Sequence, residues 1–279
     1  MGTLVTIQVV RSGAEAAIDR GFGWFHEIEA RCTRFAPQSE LMQLTTRIGA
    51  PTPVSSILYE SVRLALMVAG ESDGAFDPTV TGLREGDVTF RDIKLDDERR
   101  TITLLRPLML DLGAVAKGLA VDLAARELQP FTDFAIDAGG DLYLGGCNPQ
   151  GNPWSVGIRH PRPDDQDDQR DGQLIHSLRV SNTAVCTSGD YERKSLNGPG
   201  HHILDPRTFI NGRTGASAGA AASVTVIAPT AMLADALATA AFVLGPAEGI
   251  AFLERLGVEG LLVTPELERF ETRGFRHAA

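Results

Sequence analysis

The order in which helical and strand-like patterns follow one another constrains this chain more than any single motif. Apolar residues recur at helical spacing over Ala14 to Cys32, Ser56 to Gly70, Val115 to Gln129, Thr230 to Leu244 and Ala247 to Leu256. Strand-like runs cover Leu4 to Val10, Thr101 to Leu110, Phe134 to Ile136, Leu142 to Leu144, Ser155 to Arg159, Leu174 to Val180, Ser223 to Ile227 and Gly260 to Val263. The two kinds do not alternate regularly, which favours an α+β fold over a doubly wound parallel sheet. A chain of 279 residues can bury a substantial core, as one large domain or as two lobes. With no internal repeat and no convincing linker, a single domain over 1–279 is expected. The stretch 161–173 is polar, acid-rich and bears Pro163, so it reads as an exposed loop; it lacks the Glu and Gly placement of a calcium-binding EF-hand.

Charge and cysteine usage narrow the function classes. The formal net charge of -10 argues against nucleic-acid binding, which needs a basic surface. Any anionic substrate must therefore meet local positive charge. Cys32, Cys147 and Cys186 are scattered without C-x-x-C spacing, which disfavours zinc or a disulfide framework and fits a reducing compartment. The chain opens at Met1 and enters the first strand with no basic and apolar leader, so a cytoplasmic location is expected. Pro229 and Asp235 interrupt the apolar stretch from Ala216 to Leu244, so no membrane span is expected there.

Three constellations carry chemistry. Asp111-Leu112-Gly113-Ala114-Val115-Ala116-Lys117-Gly118 joins an expected strand to an expected helix. Free N–H groups at a helix start, small residues and one Lys a turn further in suit a diphosphate; a plain tight connection is the other reading. In Ala234-Asp235-Ala236-Leu237-Ala238-Thr239, an Asp and a Thr four apart share one side of an apolar helix. A buried carboxylate there calls for a partner: either a hard cation such as Mg2+, or backbone N–H groups, with Asp235 capping the helix. The third constellation is Thr187-Ser188-Gly189-Asp190-Tyr191-Glu192-Arg193 followed by His201-His202-Ile203-Leu204-Asp205-Pro206, hydroxyls and a flexible glycine beside a His pair suited to proton transfer. Gly139-Gly140-Asp141 reads either as a tight bend with Asp141 as turn acceptor or as backbone passing close to a ligand.

Together these residues resemble the FAD:protein FMN transferase (ApbE) family, in order along most of the chain. The matching stretches are Phe35 to Leu41, Gly74 to Thr79, Asp111 to Gly118, Asp137 to Asp141 and Trp154 to Ile158, then Thr187 to Arg193, His202 to Pro206, Ser223 to Val226 and Ala234 to Thr239. The resemblance implies mixed sheets with packed helices and FAD in a cleft between two lobes. It implies Mg2+-dependent transfer of FMN from FAD to a Thr or Ser hydroxyl of an acceptor flavoprotein, with release of AMP. Under it, Asp235, Thr239 and the Ala114 carbonyl hold the metal. Met1, Phe35, Ala75, Phe76, Asp77, Asp111 and Lys117 contact FAD, Ser188 and Gly189 line the flavin or phosphate, and His202 is the general base. Two other readings share the pocket: an FAD pyrophosphatase giving FMN and AMP, and a non-catalytic flavin-binding protein. The chain departs from the family pattern at Phe35, where many relatives have Tyr, at Cys32-Thr33, and after Asp205-Pro206, where Asn211-Gly212 is the expected turn of a longer hairpin or flap.

Overall fold

In the computed structural model, the structure describes residues 2–79, 88–162, 173–191, 203–208 and 218–275. The elements are β1 (Val5–Val9), α1 (Glu15–Cys32), α2 (Glu40–Leu44), β2 (Thr52–Pro53), α3 (Ser56–Glu71), β3 (Ile93–Asp96), β4 (Thr101–Leu104) and α4 (Gly113–Leu128). They continue with β5 (Phe134–Ala138), β6 (Asp141–Gly145), β7 (Trp154–Arg159), β8 (Leu174–Val180), β9 (Thr183–Gly189), β10 (Ser223–Ala228), α5 (Ala231–Leu244), α6 (Pro246–Arg255), β11 (Glu259–Val263) and β12 (Arg269–Glu271).

A seven-stranded sheet in the order β1-β5-β6-β9-β10-β11-β12 forms the frame, and every neighbouring pair in it is antiparallel. Smaller sheets, β2-β4-β3 and β7-β8, flank it. This is the α+β architecture expected from the irregular order of patterns.

Strand periodicity explains how the main sheet is covered on both faces. Side chains alternate faces along a strand, so Ala184 and Cys186 of β9 and Val224 and Val226 of β10 join the helix-side core, with α4 and α5. Their neighbours Val185 and, on β11, Leu261 and Val263 face a second core with Trp154, Ile158 and Leu178 of the β7–β8 hairpin. α5 is Ala-rich and buried along most of its length, as a helix apolar all round must be. Gly118 lets α4 run hard against it: a Cβ there would lie 2.5 Å from the backbone of Ala231 and Met232.

Several expected boundaries shift. The strand from Thr101 ends at Leu104 rather than Leu110, because Pro107 has no N–H for a ladder and the chain turns away at Leu105. The following helix starts at Gly113, whose N–H donates to Asp111 Oδ1. The short elements α2, β2, β3 and β12 and the interior strand β9 lack a strong pattern of their own. No helix of the described residues is long and apolar enough to cross a membrane.

Candidate functional site

Asp111 ties three segments together at the start of α4. Its Oδ1 accepts from Gly113 N at 2.9 Å, its own N–H donates to Pro78 O at 2.7 Å, and its Oδ2 pairs with Arg34 Nε at 3.1 Å. The expected FAD-contacting residues Phe35, Ala75 to Asp77 and Asp111 therefore share one region. Phe35 is 75% exposed, its ring 4.4 Å beneath the Arg34 guanidinium, a cation–π pair that holds a flat apolar face toward solvent. Ala75 and Phe76 are buried, so their side chains belong to the core. Asp77 also points inward: its Oδ1 accepts from Thr79 N and Oγ1, and Oδ2 from Phe90 N, which fixes the turn.

α5 is set against α4 by its first turn. Thr230 is its N-cap, accepting from Leu233 N, and Asp122 of α4 accepts from Ala231 N at 2.7 Å and Met232 N at 3.0 Å. Those two residues do the capping considered above for Asp235. Burial pushes the Asp122 carboxyl up to about 6, against the stabilising pull of the Met232 and Ala231 N–H groups and of Arg126.

Asp235 lies one turn further on and is 6% exposed. Lys117, one helical turn beyond Gly113, brings its Nζ to 3.6 Å from Asp235 Oδ2 and into direct contact with Asp141 Oδ2. Thr239, on the same side of α5 as Asp235, shares a 3.1 Å hydrogen bond between its Oγ1 and Ser188 Oγ. Cys186, opposite Asp141 in the ladder, donates to Ala231 O at 3.5 Å, and burial followed by the Asp235 charge pushes its thiol well above the usual range. The structure thus gathers Lys117, Asp235, Thr239 and Ser188, and Ala114 lies three residues before Lys117 on the same face of α4.

Gly189 is the last residue of β9, and no left-handed backbone explains it. A Cβ there would lie 2.6 Å from the Tyr191 ring, so close packing accounts for it. Met1 and His202 lie outside the described residues, as do Asn211-Gly212, expected as a turn, and residues 163–172 of the acid-rich stretch.

The sequence model of the ApbE family matches residues 1–262. The chain belongs to the ApbE family. Among curated proteins it is 29% identical to the FAD:protein FMN transferase of Vibrio cholerae, over 97% of this chain and 87% of that one. It is 31% identical to the enzyme of the same name from Treponema pallidum, over 95% of this chain and 83% of the relative. The crystal structure of the ApbE protein from Thermotoga maritima superposes with a TM-score of 0.83 at 27% identity, covering 99% of this chain and 96% of that one.

Within this ApbE fold, the residues that sequence reading misses are Arg34, Asp122 and Asp141. Asp141 is not the turn acceptor: Asp137 Oδ1 accepts from Gly140 N, and Gly139 and Gly140, both at positive φ, close a two-residue hairpin from Ala138 to Asp141. Leu142 and Leu144 pack on the core of the β7–β8 hairpin, and alternation turns Asp141 to the helix side, because this strand is covered on both faces.

Proposed function

We propose that this enzyme transfers the FMN half of FAD to a Thr or Ser hydroxyl of an acceptor flavoprotein and releases AMP. The observation that carries the reading is the meeting of Lys117 from the first turns of α4 with Asp235 of α5, an ammonium beside a buried carboxylate, which together offer groups for a diphosphate and its divalent ion. The family match and the relatives' shared transferase name support it.

The residues present fit a hard divalent cation. Asp235, Thr239 and the Ala114 carbonyl offer oxygen only, one carboxylate among them, which is the donor chemistry Mg2+ takes alongside phosphate oxygens. Among the described residues no three His, Cys, Asp or Glu side chains cluster as a metal site, and a Mg2+ set of this composition needs only one. When bound, the metal neutralises charge on the diphosphate. Lys117 adds one ammonium with three donors, so alignment and charge supply most of the rate. The acceptor oxygen bonds to the FMN phosphorus, the bond from that phosphorus to the AMP oxygen breaks, and His202, the base implied by the resemblance, takes the hydroxyl proton. Phe35 offers a stacking face for a flat ring.

Incubation with FAD, Mg2+ and an acceptor carrying an exposed-loop Thr, followed by a denaturing gel, tests the reading. A fluorescent acceptor band is expected; free FMN and AMP without it would assign the site to hydrolysis, and intact FAD to simple binding. Asp235→Ala is expected to abolish turnover with any divalent ion, while His202→Ala is expected to lower kcat by about 10²- to 10⁴-fold with little change in FAD affinity. Equal activity in the Asp235 variant removes the metal reading.

A further inference from the structure

We infer that Asp141 is a positioning residue that holds the Lys117 ammonium off Asp235 and so keeps that carboxylate available to a divalent ion. The inference rests on the reading of Asp235 as a metal ligand. Asp141 is 0% exposed at the hairpin end of β6, and its Oδ1 has no hydrogen-bond partner among the described residues. Its partner is Lys117, in direct contact through Oδ2, while the same ammonium stands 3.6 Å from Asp235 Oδ2.

Energetics argue against a purely stabilising purpose. Desolvating a carboxylate and an ammonium costs several kcal/mol per ion, and a buried ion pair often gains nothing over apolar residues of the same volume. What the arrangement does is divide one cation between two buried carboxylates from different elements, β6 and α5, with Asp141 the nearer of the two. If Asp141 loses its charge, the attraction that remains is Asp235, within reach of the flexible lysine stem. The ammonium then pairs with Asp235 and competes with the divalent ion for the same oxygen. Asp141 also leaves Lys117 with further N–H donors, enough to meet a phosphate oxygen from its fixed position.

The test is Mn2+ binding to the full-length protein, followed by the loss of free Mn2+ signal in electron paramagnetic resonance, so that the readout is independent of turnover. Asp141→Asn is expected to weaken Mn2+ binding about tenfold or more, the effect of moving a unit charge to ion-pair distance. Adding Lys117→Met to that variant is expected to restore binding to within about threefold of Lys117→Met alone, because the competitor is gone. Binding that stays weak in the double variant would make Asp141 a ligand or a structural prop and overturns the inference; so does unchanged binding in Asp141→Asn. Asp141→Ser, with folding checked by thermal melting, serves if the Asn variant does not fold. Asp235→Ala separates the two levels: if it binds Mn2+ like the wild type, the metal reading itself fails, whereas its loss together with a silent Asp141→Asn sinks only the role of Asp141.

Discussion

Asp122 shows how one side chain sets the geometry of a site it does not enter. Each of its oxygens accepts a backbone N–H from the first turn of α5, so α4 carries the cap of the helix that bears Asp235 and Thr239. Burial outweighs those two bonds and raises its pKa to about 6, from an ordinary value of 3.8. A carboxyl held above its unfolded value adds stability that is full below about pH 4 and is lost as pH rises through about 6. In urea unfolding, the wild type is therefore expected to lose about 1 kcal/mol between pH 5 and pH 7.5 that Asp122→Asn does not lose. The Asn variant is expected to be the less stable of the two at both pH values, because its amide NH2 replaces one accepting oxygen and opposes the N–H donor that oxygen served. Parallel pH profiles for the two proteins would show that burial of this carboxyl has no titration cost.

Between α4 and α5 the close approach depends on Gly118. In an exposed helix Ala would gain about 1 kcal/mol over Gly, but here the added Cβ meets main-chain atoms of Ala231 and Met232 at 2.5 Å, which cannot rotate away. The clash wins: Gly118→Ala is expected to destabilise by about 1–3 kcal/mol and, under the proposed metal reading, to raise the Mg2+ concentration needed for turnover, since Lys117 and Asp235 sit on the two helices being separated. Wild-type stability and Mg2+ dependence in this variant would refute the close-contact account. The pair α4–α5 also shows which elements are legible in sequence. Both helices announce themselves through long apolar periodicity and through the odd residues Lys117 and Asp235 within it. β9 does not, because Thr187-Ser188-Gly189 carries hydroxyls and a glycine that read as loop chemistry, whereas Thr187 Oγ1 bonds Thr225 Oγ1 across the ladder and Ser188 faces α5. Asp141 is illegible for a related reason: only the pairing of β6 with β9 beneath two helices makes its position interior.

Across the whole molecule, the seven-stranded sheet separates two cores with different duties. The helix side holds α4, α5 and every described residue of the Lys117–Asp235 corner, while the far side is closed by the β7–β8 hairpin through Trp154, Ile158 and Leu178. Alternation along β9 makes the division sharp, with Cys186 and Ser188 turned to the helices and Val185 to the hairpin. The hairpin should then contribute stability without shaping the chemistry. Leu178 is fully buried in its core, so Leu178→Ala is expected to cost about 2–5 kcal/mol, seen as a lower urea midpoint. Under conditions where the variant remains folded, its kcat and FAD affinity are expected to match the wild type, because the cavity opens on the face of the sheet opposite Asp235. A fall in kcat in that folded variant, with Mg2+ binding intact, would mean that the hairpin helps to shape the acceptor side of the site and that the two faces of the sheet do not work independently.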